Sequence, residues 1–259
     1  MTVKLYSIAF NRPDFLKVQK ESVDHYLRDP HEIIVVNNAP TPEMASAISR
    51  ASEALGMECL RVQTDLGNNW LPGKNHADAM NLAFQQRIRH EGGLNVIMDS
   101  DFFMVSPFSV EKCMADGVTM CGVQQRREDY YYLTPNLLFM NVDILPDTSE
   151  IDLEGIHIKG VALDTGGRLY NYFERHPEVK AKVKRMCHTW HVTSQNNNLH
   201  TLPDELREEY TDDIVFEIYQ NSWLHYCRSS NWDHQTHNYH IRKTNLVHKF
   251  VYGSMDGSD

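Results

Sequence analysis

Apolar positions along the first hundred residues switch repeatedly between the two-residue period of a strand and the 3.6-residue period of a helix. Val3 to Phe10 alternates and is rich in β-formers, and Asn11, Arg12, Pro13 and Asp14 then supply a turn and a helix cap. A helix follows from Phe15 to Leu27. It ends before Asp29 and Pro30, because the residue ahead of a proline is pushed into extended geometry. Glu32 to Asn37 is a short apolar run of the kind buried on both faces of a parallel sheet. Met44, Ala47, Ile48, Ala51 and Leu55 return to helical spacing, Gly56 stops that helix, and Glu58 to Val62 forms a third strand. Lys74 to His90 is helical again, with Ala77, Met80, Phe84 and Ile88 on one face; Gly92 and Gly93 lead into a fourth strand, Leu94 to Met98. This alternation predicts an α/β fold, doubly wound, with a mostly parallel central sheet flanked by helices.

Beyond Pro107 the pattern loosens. It predicts a helix near Phe108 to Met114, a strand from Val118 to Val123, another from Leu137 to Asn141, and a helix from Thr165 to Arg175 capped by Asp164. Met186 to Leu202 is polar, rich in histidine and fits neither period. His234, His237 and His240 recur every three residues and read as a polar loop. The expected organisation is one domain over 1–259, with a regular βα half in 1–105 and an irregular half in 106–259.

Composition narrows the classes. The 259 residues are 41% hydrophobic and 23% charged, enough for a sizeable core. A formal charge of −10 disfavours partners such as nucleic acid or an anionic membrane surface. The cysteines Cys59, Cys113, Cys121, Cys187 and Cys227 are odd in number and lack paired spacing, so they indicate neither a disulfide framework nor a cysteine zinc site. His188 and His191 lack a second ligand pair for zinc. The start of the chain has no charged-then-apolar leader and no apolar run approaches a membrane span, which leads us to expect a complete cytoplasmic protein.

The first chemical signal is Asp99-Ser100-Asp101. Open parallel sheets bind ligands beyond the carboxyl ends of their strands, and this turn follows such an end. Two carboxylates there make a hard-oxygen site suited to Mn²⁺ or Mg²⁺ carrying phosphate oxygens. The competing reading is a solvated turn. Burial behind Leu94, Val96, Ile97 and Met98 argues against it, since buried carboxylates are costly without a cation.

The second signal lies near the C-terminus, where His225 is followed by a short small-and-polar loop ending in Trp232. With the Asp-x-Asp turn, this stretch resembles the signature of metal-dependent glycosyltransferases of the GT-A fold, above all the retaining glycogenin and lipopolysaccharide galactosyltransferase family. Arg228-Ser229-Ser230-Asn231-Trp232 stands where that family usually has glycine, lysine and proline. The resemblance implies a GT-A domain in which 1–105 is the nucleotide-binding half and 106–259 the acceptor-side half with the C-terminal metal and phosphate loop, a nucleotide-sugar donor such as a UDP-sugar, and a glycan or other hydroxyl acceptor. It also implies retention of configuration. By position it makes Asp99, Asp101 and His225 the ligands of Mn²⁺ or Mg²⁺ and puts Ser230 and Asn231 by the phosphates, with Ser100 a further cofactor-binding position between the two aspartates. Ala9, Asn11, Arg12, Asn37 and Asn38 would line the base, and Asn136 would touch the donor sugar.

Lys74, Asn75 and Asp78 open a helix, where free N–H groups and a lysine favour a polar or anionic ligand, although an ordinary helix cap reads the same way. Asp164 precedes Gly166 and Gly167, where close approach by a sugar is sterically allowed, and is the candidate catalytic residue. In an inverting enzyme it would be the general base; in a retaining one it would orient the acceptor or stabilise oxocarbenium-like charge. Its bland alternative is a helix cap. Two other readings stay open: a catalytically silent nucleotide-sugar or carbohydrate-binding module, and a sugar nucleotidyltransferase, for which the loop after the first strand lacks the expected glycines and basic residues. A haloacid-dehalogenase-type phosphatase would carry its Asp-x-Asp after the first strand, not the fourth.

Overall fold

A computed structural model describes residues 1–64, 72–191, 204, 216–227, 229 and 236–256. In chain order the principal elements begin with β1 (Val3–Ala9), α1 (Phe15–Tyr26), β2 (His31–Asn37), α2 (Pro42–Ala54), β3 (Glu58–Arg61), α3 (Pro72–Ala83) and β4 (Leu94–Asp99). They continue through β5 (Phe102–Met104), β6 (Met120–Arg127), β7 (Tyr130–Asn141), α4 (Leu169–Arg175) and β8 (Lys184–Arg185) to β9 (His188–His191), β10 (Glu217–Tyr219), β11 (Trp223–His225) and α5 (His237–Asp256). Among the described residues no helix is long and apolar enough to cross a membrane.

The chain forms two compact units, each assembled from separate stretches. The first comprises Met1–Asn11, Asp29–Asp99 and Ser109–Met186; the second comprises Arg12–Arg28, Ser100–Phe108 and Cys187–Asp259.

The first unit is built on a seven-stranded sheet of order β8-β6-β7-β4-β1-β2-β3. β1 runs parallel to both neighbours, with Tyr6 opposite Ile34 of β2 and Ile97 of β4. β7 enters antiparallel to β4 and pairs with β6 as a hairpin longer at both strands than the sequence pattern indicates. The α3 face expected from spacing is confirmed, since Ala77, Met80, Phe84 and Ile88 are all buried. Helical structure continues past α3 through a π-helical stretch, Phe84–Ile88, and a last turn, Arg89–Glu91. The helix expected from Thr165 begins only at Leu169, and Asp164 does not cap it.

Glu91 closes that last turn against β1. It accepts hydrogen bonds from Tyr6 Oη at 2.7 Å, from Lys4 and from Arg87. Burial alone would raise its pKa, but the bonds from Lys4, Arg87 and Tyr6 more than reverse this and hold it at about 2, against an ordinary 4.5. A carboxylate depressed in the folded state contributes stability that is fully present above its unfolded pKa and is lost as pH falls through the folded value. Stability is therefore expected to decline between about pH 4.5 and 2 by on the order of 3 kcal/mol. Glu91→Gln should flatten that part of the curve. Urea midpoints measured across this range check it, and an unchanged slope in the variant counts against the assignment.

The second unit carries an antiparallel sheet of order β9-β10-β11-β5. Its core joins Phe15 and Val18 of α1, Phe103 of β5, Ile218 and Leu224 of the hairpin, and Leu246, Val247 and Val251 of α5. Phe15 meets Phe103 edge to face at 5.2 Å. The loop expected around the recurring histidines is corrected here: His237 starts α5, and His240 lies fully buried within it. Residues three apart share a helix face, so the spacing had a helical reading after all.

Candidate functional site

Sequence position alone brings Asp99 and Asp101 within one turn, and the fold fixes what surrounds each. Asp99 is the last residue of β4, at the carboxyl end of a parallel strand in the middle of the first unit's sheet. Its Oδ1 lies 2.5 Å from Nε2 of His76, which projects from α3. Asn136 stands one residue beyond the β4–β7 pair Met98 and Leu137, so the register carried one step further sets it opposite Asp99. The Asn136 Oδ1 is buried without a hydrogen-bond partner among the described residues.

Ser100 and Asp101 are buried in the second unit. The Asp101 carbonyl accepts a hydrogen bond from the Tyr226 N–H at 3.0 Å, which ties the turn to the end of β11. His225 pairs with Phe102 in the β5–β11 register, and its ring stacks on that phenyl at 4.3 Å and 5°. This fixes the imidazole plane, with Nε2 3.6 Å from Asp101 Oδ1 and Nδ1 3.0 Å from Glu217 Oε2. Burial opposes a charged imidazolium, yet the Cys227 sulfur, Asp101 and Glu217 outweigh it and hold the His225 pKa well above the usual histidine range. Two of the three expected ligands, Asp101 and His225, thus face each other within one unit, and the third is separated from Asp101 by a single residue.

Glu217 and Cys227 were not singled out from sequence. Glu217 reaches His225 only through the β10–β11 register, and the Cys227 Sγ lies 3.5 Å from His225 Nδ1. For Cys227 the signal available was its place two residues after His225, close enough for the turn beyond β11 to bring the two side chains together.

The other expected positions cluster in the first unit around the ends of β1, β2 and α3. The Asn38 N–H donates to the Ala9 carbonyl at 2.9 Å, and its amide donates to the Asn75 carbonyl at 3.3 Å. Thr64 Oγ1 donates to Asn38 Oδ1 at 3.1 Å and also to the Asn75 side chain. Asn37 is spent internally, donating to the Ala45 carbonyl at 2.8 Å and accepting from Arg61 and Ala39. Lys74 pairs with Asp78 at 2.9 Å, one turn along α3. A cavity of about 310 Å³ lies beside them, lined by Gln63, Thr64, Asp78, Asn81, Gln85 and Glu154.

Arg12 belongs to the second unit, and its guanidinium is already engaged. It lies 3.6 Å over the Phe15 ring, pairs with Asp14 at 2.7 Å and donates to Thr244 at 3.1 Å and to the Ser229 carbonyl at 3.4 Å. Asn11 ends the first stretch of the first unit. Ser230 and Asn231 lie outside the described residues, as do Trp232 and His234. His188 and His191 are described only as β9 backbone.

Asp164 is exposed, its N–H donates to Tyr132 Oη at 3.2 Å, and its Oδ1 accepts from the Thr165 N–H at 2.8 Å. The glycines after it have a packing reason that sequence did not supply. Gly166 sits at φ +89°, and a Cβ there would come within 2.1 Å of the Leu133 carbonyl oxygen.

Comparison with known proteins places the fold. The galactosyltransferase LgtC, solved in complex with donor and acceptor sugar analogs, superposes with a TM-score of 0.51 and 11% identity over 98% of this chain and 96% of that one. An active-site mutant of LgtC gives a TM-score of 0.52 and 13% identity, covering 96% of each chain. No protein-family model and no curated protein matches the chain. At such identities the likeness is one of fold: a mixed α/β architecture with a central, mostly parallel seven-stranded sheet flanked by helices, of the GT-A glycosyltransferase type.

Proposed function

We propose that this chain is a metal-dependent glycosyltransferase that moves a sugar from a nucleoside diphosphate sugar, a UDP-sugar by preference, to a hydroxyl of a glycan acceptor with retention of configuration. The observation that carries the reading is the approach of Asp101 to His225 at the Asp-x-Asp turn beyond β4, in a chain whose fold is that of LgtC. The donor set suits Mn²⁺ or Mg²⁺, because two carboxylates and one imidazole are hard to borderline ligands and both Asp101 and His225 are largely desolvated. Asp99, Asp101 and His225 would hold the cation, whose chemistry is Lewis-acid stabilisation of the departing diphosphate.

Residues of the chain supply the rest. Ala9, Asn11 and Asn38 bind the nucleoside at the strand ends, and Arg12, committed to Phe15 and Asp14, holds its own segment just after Asn11. Lys74, Asn75 and Asp78 at the start of α3 contact the donor. The Asn136 Oδ1 accepts from a sugar hydroxyl, which would satisfy an oxygen buried without a partner among the described residues. Ser100, Ser230 and Asn231 line the diphosphate. The exposed carboxylate of Asp164 orients the acceptor or stabilises positive charge at the anomeric carbon.

The test is calorimetric titration of UDP and a panel of nucleotide sugars with and without Mn²⁺, with nucleoside diphosphate release followed in the presence of simple sugar acceptors. Mn²⁺-dependent binding and release are expected. Binding without release would make the chain a silent binding module. Failure of Mn²⁺ and every nucleotide to bind would remove the reading.

A further inference from the structure

We propose a second cation site in the β10–β11 hairpin, formed by the Glu217 carboxylate, the Cys227 thiolate and His225 Nδ1, that takes a thiophilic divalent cation such as Zn²⁺. Strand geometry builds it. The antiparallel register sets Glu217 directly opposite His225, and Cys227 stands two residues further on, in the turn just beyond β11. Glu217 Oε2 lies 3.0 Å and Cys227 Sγ 3.5 Å from His225 Nδ1, and one ligand atom from each residue lies within 4.8 Å of the others. Tetrahedral zinc with bonds of about 2.0 Å to nitrogen and oxygen and about 2.3 Å to sulfur requires ligand atoms roughly 3.3 to 3.7 Å apart, so small side-chain adjustments suffice. Sulfur, imidazole and one carboxylate select zinc over the hard cations suited to paired aspartates. Tyr219 Oη donates to Glu217 Oε2, and Phe102 fixes the plane of the imidazole, so two of the three ligands are already oriented.

One ring serves both sites, and as a neutral imidazole it serves only one of them at a time. A cation on Nδ1 leaves the proton of the neutral imidazole on Nε2, directed to Asp101 Oδ1 at 3.6 Å, and binding releases the Cys227 thiol proton to solvent without any redox change. A hard cation on Nε2 requires the opposite tautomer, with the Nδ1 proton donated to Glu217 at 3.0 Å. Zinc at the hairpin therefore displaces the hard cation and switches off nucleotide-sugar binding. This antagonism rests on the function proposed above; the hairpin site does not.

The experiment uses the full chain freed of metal, with Zn²⁺ affinity measured by competition against a chromophoric chelator and Co²⁺ as a spectroscopic probe. Expected are one tight zinc per chain, a thiolate-to-cobalt charge-transfer band, and loss of both in Cys227→Ser, with zinc affinity falling by about 100-fold and by about 10-fold in Glu217→Gln. Cys187→Ser, which removes an exposed thiol elsewhere, should change neither. Zinc should raise the apparent Mn²⁺ dissociation constant at least about 10-fold in the wild type and leave it unchanged in Cys227→Ser. Absence of the band, or equal zinc affinity in Cys227→Ser, overturns the site. Zinc bound through Cys227 with no effect on Mn²⁺ overturns the antagonism. If zinc binds through Cys227 but Mn²⁺ never binds, the hard-cation assignment falls and the hairpin site stands.

Discussion

Replacing Asp101 with asparagine is expected to abolish the stabilisation of this chain by Mn²⁺. A ligand that binds only the folded state at a hundred times its dissociation constant raises stability by about 2.7 kcal/mol, and this increment should appear in the wild type as a rise in melting temperature. Asparagine keeps the volume of Asp101 and can still accept from His225, so the apo variant should fold normally, whereas the loss of a ligand charge removes the cation. His225→Ala should do the same, with an added packing cost from the stacked Phe102 ring. The competing account, a structural pair between Asp101 and His225, gives the opposite pattern: the variant would be less stable without metal, and Mn²⁺ would act equally on both proteins. Differential scanning calorimetry with and without Mn²⁺ separates the two, and equal shifts would refute the metal assignment. Mn²⁺-dependent turnover should fall by about 100-fold or more, the scale expected when a cation that stabilises leaving-group charge is lost.

Gly166→Ala is expected to destabilise the first unit by about 3 kcal/mol or more, combining left-handed backbone strain with a steric clash. The added methyl would lie 2.1 Å from the Leu133 carbonyl oxygen and 2.9 Å from Pro135 Cδ, on the strand that also carries Asn136. Gly160 provides the control, because its φ of +88° is nearly the same and nothing lies within 4 Å of a Cβ built there. Gly160→Ala should therefore cost only about 1 kcal/mol of backbone strain. Urea unfolding of the two variants measures the difference. Equal losses would show that β7 yields to the Gly166 methyl, and the tight packing inferred here would be wrong.

The parts of the fold that were legible are those whose burial is simple. Ile33 to Val36 and Val96 to Met98 are covered on both faces, so they stand out as uninterrupted apolar runs, and the helices between them show one clean stripe. The β6–β7 hairpin was seen only in part, because Glu128 and Asp129 lack the glycine or asparagine that marks a two-residue turn and Pro135 sits beside the register shift at Gly122 and Val123. Helix α5 was missed for a different reason. Two of its buried positions are His240 and Lys243, the latter donating to the Cys227 carbonyl at 2.8 Å and lying 4.1 Å from the Tyr226 ring centre, so its inner face does not read as apolar.

At the candidate site the pattern repeats. Asp99 and Asp101 could be singled out as candidates because the end of a buried parallel strand is a general ligand position, and His225 because a motif surrounds it. Glu217 and His76 could not, since each reaches its partner through strand register or helix placement and not through spacing in the chain. The glycines after Asp164 invited a ligand-based explanation, whereas the carbonyl of Leu133 already demands Gly166.

The pairing of β5 with β11 sets Phe103 against Leu224, partners about 120 residues apart along the polypeptide. During synthesis the Asp-x-Asp turn leaves the ribosome long before the strand that brings its imidazole, so Phe103 has Phe15 and Val18 of α1 to pack on while its β11 side waits for most of the remaining chain. The order of manufacture thus leaves the proposed cation site incomplete until late in maturation, and the unpaired edge of β5 is open to wrong partners in the interval before β11 arrives.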